Sequence, residues 1–134
     1  VAARAALQAL LEGDKVLQDL GVGAVYPTNS VDTPEEELFL VIRWGPTTKV
    51  FGTTGPSRFS VWVHDKQRDY GRINDVLDRL RELIPDQTHL QGADGRTLSV
   101  AEWLGESDDL FDGGYNTCTR FVDFQAATRY NADG

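Results

Sequence analysis

Cysteine occurs once, at Cys118, so no disulfide can form within the chain, and neither a CxxC pair nor a histidine-rich metal pattern is present. The chain is thus compatible with a reducing compartment, and its fold has to rest on an apolar core. No apolar run approaches the roughly 18 residues that a membrane-spanning helix needs, so no membrane partner is expected. Residues 1–11, with Arg4 among them, lack the basic, then apolar, then small-residue layout of a secretory signal. Positive charge is also scarce: 13 Lys and Arg stand against 21 Asp and Glu, a net charge of −8. Such a surface repels nucleic acid on average, because phosphate binding needs Lys and Arg to neutralise charge. A chain that slides past nucleic acid without holding it is compatible with this balance.

What remains is ordinary globular material. Hydrophobic residues make up 40% of the 134 and aromatics 10%, enough to exclude a wholly disordered chain. The length predicts one domain, 1–134, with 130–134 as a frayed tail. Folding a chain of this size buries roughly two-thirds of its surface, so metal is not needed to hold it.

Residues 2–11 read as a helix with Ala3, Leu7, Leu10 and Leu11 on one face, ended by Gly13, and Asp14 can cap a second helical turn. Val25–Tyr26–Pro27 reads as a short extended piece, and the polar residues 28–37 as a surface loop. The dense apolar run from Leu38 to Trp44 predicts a central strand covered on both faces. Residues 58–64 alternate: Phe59, Val61 and Val63 point one way, and Arg58, Ser60, Trp62 and His64 the other. Between these two strands, the Gly, Pro and Thr-rich segment Gly45–Ser57 predicts a long hairpin loop.

The clearest helix follows Asp69, a plausible N-cap. Ile73, Val76, Leu77, Leu80, Leu83 and Ile84 hold helical spacing, and Pro85 supplies the stop. Residues 86–95 read as a turn-rich link and 97–104 as a strand. Residues 105–114 read as an acidic loop, and the last strand starts near Tyr115 and ends between Phe124 and Ala127. The order α-β-β-α-β-β predicts an α+β fold, a mainly antiparallel sheet with helices packed on one face.

A search for chemistry returns little. Ser60, His64 and Asp65 mimic a hydrolase triad, but Ser60 and His64 lie about 13 Å apart along a strand at ~3.3 Å per residue, too far to share a proton. The sequence has no GxSxG elbow. His64 then reads as an exposed histidine on a sheet surface. The segment Gly52–Thr53–Thr54–Gly55–Pro56–Ser57 lacks the lysine of a phosphate loop and runs into a strand. Glu106, Asp108, Asp109 and Asp112 supply oxygens suited to a hard cation, within one subunit or shared between two, but not at EF-hand spacing. A solvated loop is the default reading there. Cys118, inside a strand, reads as a buried, inert thiol. Trp44, Trp62 and Trp103 each fall on a strand, and any of them left exposed would mark an interface. No catalytic, cofactor-binding or metal-ligating residue is assigned, and the chain is not read as an enzyme.

Two stretches carry a resemblance. One is Thr54-Gly55-Pro56-Ser57-Arg58-Phe59-Ser60-Val61-Trp62-Val63-His64-Asp65 with Asp69-Tyr70-Gly71-Arg72-Ile73. The other is Trp103-Leu104-Gly105-Glu106-Ser107 through Asp112-Gly113-Gly114-Tyr115-Asn116-Thr117. In combination, and in the order of their elements, they resemble the tail terminator (tail completion) proteins of long-tailed bacteriophages, nearest to those of actinobacterial siphophages. The likeness spans about residues 36 to 125.

It implies a non-enzymatic virion protein without cofactor, which forms a ring, usually a hexamer, at the capsid-proximal end of the tail. Assembly would take place in the host cytoplasm. The partners implied are the major tail tube protein, the head–tail connector or stopper, and double-stranded DNA passing through the channel without sequence readout. Charge then nominates candidate ring or tube contacts: Lys49, Phe51, Arg58, Arg72 and Arg79 on the basic and apolar side, and Glu106, Asp108, Asp109 and Asp112 on the acidic side. Another neck or connector subunit, a small cytoplasmic binding module, and an enzyme without a recognisable motif are the competing readings.

Overall fold

The alternation of apolar residues along two neighbouring strands sets the plan of the molecule. The computed structural model describes residues 2–27, 34–50, 53–86, 90–91 and 96–130. In chain order the elements are α1 (Ala2–Gly13), α2 (Lys15–Asp19), β1 (Ala24–Tyr26), β2 (Leu38–Val50), β3 (Thr53–Asp65), α3 (Tyr70–Asp86), β4 (Leu90–Gln91), β5 (Arg96–Glu106), β6 (Leu110–Asp112) and β7 (Thr117–Tyr130). The strands form a seven-stranded sheet in the order β1-β2-β3-β7-β5-β4, with β6 paired to β7. β1 runs parallel to β2, and every other pairing is antiparallel. β5 and β6 both lie antiparallel to β7 along successive stretches of it, so they behave as one strand interrupted at residues 107–109.

Helices α1, α2 and α3 pack on one face. There Leu38, Leu40 and Ile42 of β2, Phe59, Val61 and Val63 of β3, and Val122 and Phe124 of β7 meet Leu7, Leu11, Leu17 and the apolar stripe of α3. Cross-strand partners stack within this face: Ile42 opposite Val61, Val61 opposite Val122, Phe59 opposite Phe124. The rings of Phe59 and Phe124 stack at 5.4 Å, and Trp44 tilts against Phe59 at 4.8 Å. All six stripe residues of α3, Ile73 through Ile84, are buried. At about 2 kcal/mol for each buried side chain they are what holds that helix down.

The reverse face carries Phe39 and Val41, both buried, so β2 is covered on both faces there, although it lies next to the end of the sheet and β3 and β7 are its central strands. The α+β class and the helix-covered antiparallel sheet are as the sequence predicts. The hairpin is long, but its distal part is laddered, not open: β2 reaches Val50 and β3 resumes at Thr53, with Lys49 opposite Thr54. Pairing satisfies the backbone amides and carbonyls that an open loop of that length would leave to water. Two register shifts fall at the prolines, which have no amide to donate: one between Trp44 and Thr47, spanning Pro46, and one between Thr47 and Lys49, opposite Pro56. Phe51, and residues 28–33, 87–89, 92–95 and 131–134 of the segments read as loop or tail, lie outside the described residues.

The junction of β3 and α3 is set by polar groups. Asp65, fully buried, accepts from the backbone amides of Gln67 at 2.9 Å and Asp69 at 3.3 Å. It also takes both arms of Arg72, with Nε at 3.1 Å and Nη2 at 2.5 Å. Asp69 in turn accepts from the Arg72 amide, the N-cap that the sequence places there. The helix runs one residue past Pro85 before it stops. At the other end of the core, Asp14 caps α2 through the Leu17 amide and holds Arg79 bidentately at 2.7 and 2.9 Å.

Removing the Arg72 guanidinium strands a buried carboxylate. Arg72→Met is therefore expected to cost about 3 kcal/mol of unfolding free energy, and Arg79→Met, whose partner keeps some contact with water, about 1 kcal/mol. Urea denaturation monitored by tryptophan fluorescence checks both. Equal, small losses at the two sites would show that burial of Asp65 does not govern the junction.

Candidate assembly surface

Strand geometry separates the three residues that mimic a triad. Ser60 and His64 share the reverse face, whereas Asp65 points to the helix face. The Ser60 hydroxyl accepts from Trp62 Nε1 at 3.0 Å, and His64 Nδ1 lies 2.8 Å from Thr117 Oγ1. No shared proton path links them.

The structure corrects the sequence on His64: it is 1% exposed, not a surface residue. It stacks on Phe39 at 5.0 Å and meets Tyr115 edge-on, also at 5.0 Å. Local alternation could not show this, because the cover comes from β7 and from the turn at Tyr115. Burial lowers its pKa to about 4, opposed by the Asp112 carboxylate and aided by Arg43.

A cleft of about 600 Å³ lies between α1, α2 and β1, lined in part by Gln8, Glu12, Tyr26 and Glu36. The Tyr26 hydroxyl donates to Glu36 at 2.5 Å. That bond raises Tyr26 to about 12 and lowers Glu36, so the pair is a closed contact and not a poised acid and base. Among the described residues, no group of three or more His, Cys, Asp or Glu could hold a metal ion, and no helix is long and apolar enough to cross a membrane. Cys118 is buried, as a strand cysteine is expected to be.

The candidate contact residues fall into three groups. Arg72 and Arg79 are held within the chain by Asp65 and Asp14. Their guanidiniums serve the fold, and sequence charge could not distinguish them from free cations. Arg58 is exposed on β3, and Lys49 lies in the backbone ladder near the hairpin turn.

Of the acidic residues, Glu106 ends β5, Asp112 ends β6, and Asp108 and Asp109 lie in the break between them. Glu106 lies 2.9 Å from Arg81 and 3.3 Å from Arg120. Asp109 approaches Arg120 at 3.6 Å from an exposed position, Asp108 is exposed, and Asp112 accepts from the Tyr115 amide. The sequence reads this segment as a loop, yet Leu110–Asp112 pairs with β7.

Beside these acids lie large apolar side chains in water. Trp103 is 45% exposed, Leu104 41%, Leu110 37% and Phe111 53%; among the described residues only Val16 joins them. Of the three tryptophans, Trp103 is the exposed one, and Trp44 and Trp62 are half-buried. In a strand, consecutive side chains take opposite faces. Exposure of both Trp103 and Leu104, and of both Leu110 and Phe111, means that neither face is covered at this edge. Guanidiniums partly cap it: Arg81 lies 5.6 Å from the centre of the Trp103 indole, and Arg68 5.1 Å from the centre of the Phe111 ring. Sequence alternation alone missed Leu104, Leu110 and Phe111 as surface groups.

No protein-family model matches the sequence, and no curated protein does. A solved structure, the virion of a native gene transfer agent (GTA) particle, contains a chain that matches with a TM-score of 0.73. The two chains share one fold. The match covers 93% of this chain and 92% of that one at 17% sequence identity. At this identity the match shows a shared fold along most of both chains.

Because His64 is buried in its neutral form and titrates near 6.5 when unfolded, the unfolded chain binds more protons below that value. Stability is expected to fall by on the order of 3 kcal/mol as pH drops from 6.5 to about 4. In His64→Phe, which keeps the stack on Phe39, that slope is expected to flatten. Thermal unfolding of both proteins across this range checks it, and parallel slopes would refute the assignment.

Proposed function

We propose that the chain is a structural virion protein that acts as a tail terminator. It forms a ring, most simply a hexamer, that caps the capsid-proximal end of the tail tube, stops tube growth and docks the tail to the head–tail connector. The observation that carries this is the match of the whole fold to a chain of a gene transfer agent virion, over 93% of the present chain. The resemblance of residues 36–125 to tail terminators narrows a virion role to the tail end.

Two physical features support the reading. A subunit of net charge −8 makes an acidic ring, through which DNA passes without sticking. The exposed aromatic edge beside Trp103 and Phe111 is the composition of a contact core, as an assembly subunit requires. A neck subunit shares the same likeness to a virion chain; copurification with the tail tube protein separates the two.

The test is negative-stain microscopy of the protein mixed with tails lacking their terminator. The expected result is a ring with a central hole at the capsid-proximal end, and tubes that no longer lengthen. A protein that stays off tube ends, with tubes still growing, would overturn the proposal.

A further inference from the structure

The two long open edges of the sheet lie at opposite ends of the strand order and differ in their exposed charge: Arg43 on one, with Arg58 one strand in, and Asp108 and Asp109 at the other, where Arg68 sits over Phe111. On one side, β1 pairs with β2 only from Phe39 to Val41, which leaves residues 42–50 of β2 without an outer neighbour among the described residues. Next to that edge lies a shallow groove of about 220 Å³, where Gly45 approaches the Arg58 carbonyl and Arg43, Arg58 and Ser60 line the wall with Asp123. Arg43 and Arg58 are both exposed, two guanidiniums against one carboxylate. On the other side, β4 pairs with β5 only at Thr97 and Leu98, which leaves residues 99–106 and 110–112 without an outer neighbour among the described residues. That edge carries the exposed Trp103, Leu104, Leu110 and Phe111, and in the break between its two stretches Asp108 and Asp109 are exposed, Asp109 at 3.6 Å from Arg120.

Open strand edges that carry large apolar side chains are templates for pairing with another chain. Charge decides which chain. Acidic edge against acidic edge repels, so a two-fold dimer through β5–β6 is disfavoured. Acidic edge against basic edge attracts, but among the described residues the β2 and β5–β6 edges of one chain do not pair with each other, so neither serves as the other's partner. A second copy can. Such a contact is heterologous, and it closes into a ring when its rotation permits.

We infer that the β5–β6 edge of one subunit docks beside the β2 edge of the next copy, with Asp108 and Asp109 facing Arg43 and Arg58, and Trp103 and Phe111 buried between them. This identifies the subunit contact of the proposed ring and rests on that reading for its closure. It excludes Arg72 and Arg79 from the contact, since both are held inside the chain.

A charge exchange tests it. One variant carries Arg43→Asp and Arg58→Asp, and the other Asp108→Arg and Asp109→Arg; all four side chains are exposed, so each variant is expected to fold. Circular dichroism verifies that. Each variant alone is expected to cap tube ends at least tenfold less often than the wild type. An equal mixture of the two, and a chain carrying all four substitutions, is expected to restore capping.

Variants that each cap as well as the wild type overturn the edge contact and leave the ring intact. So does a mixture of folded variants that restores nothing. A wild type that caps no tubes overturns the ring reading alone. The edge contact is then read by sedimentation, where a mixture that associates no more than either variant by itself overturns it.

Discussion

The carboxylate of Asp65 organises this molecule. It ends β3, sits fully buried on the helix face, and is matched by the fork of Arg72 and by two backbone amides. An unpaired charge in that position would cost several kcal/mol, so the turn at residues 66–69 and the start of α3 have little freedom. From that anchor the apolar stripe of α3 is aimed at β3, β7 and β5. The helix covers the middle of the sheet, α1 packs against β1, β4 and β5, and the stretch from Trp103 to Phe111 is left exposed. Two left-handed residues, Arg68 and Asn116, hydrogen-bond to each other at 3.0 Å and hold the neighbouring turns beside it.

The exposed stretch follows from the same constraint. One long helix and a shorter helical pair shield a sheet of seven strands on a single face, and β1 and β4 are too short to close its edges. An isolated domain gains nothing from leaving Trp103, Leu104, Leu110 and Phe111 in water. An assembly subunit gains a contact. The arginines over Trp103 and Phe111 are consistent with a surface kept soluble until it is covered.

The reverse face has a different character. Phe39, His64, Trp62 and Phe121 form a run of ring contacts, and Thr117 closes it with a hydrogen bond to the imidazole. The neutral histidine is a packing element there and makes the fold sensitive to acid, as do the lowered carboxyls of Asp14 and Glu36. Thr119 lies beside it with its hydroxyl buried and, among the described residues, without a hydrogen-bond partner.

The stripe of α3, the alternation of Phe59, Val61 and Val63, the continuous run from Leu38 to Ile42 and the caps at Asp14 and Asp69 were all legible in the sequence, because each is set by spacing within a few residues. The α+β class followed from the order of those elements. Other features were not legible: the parallel docking of β1, the laddering of the hairpin to Val50, the strand hidden in the acidic segment, and the burial of His64. The docking of β1 and the burial of His64 depend on neighbours far away in sequence, and the hairpin ladder and β6 depend on backbone pairing that Gly, Pro and acidic composition does not announce. The candidate contact residues divide the same way. Composition named Arg58, Arg72 and Arg79 alike, and only the tertiary structure shows that Asp65 and Asp14 hold two of them while Arg58 stays in water. Local periodicity decides which face of an element is apolar; which charges are free and which edges stay open is decided when distant elements compete for the same partners.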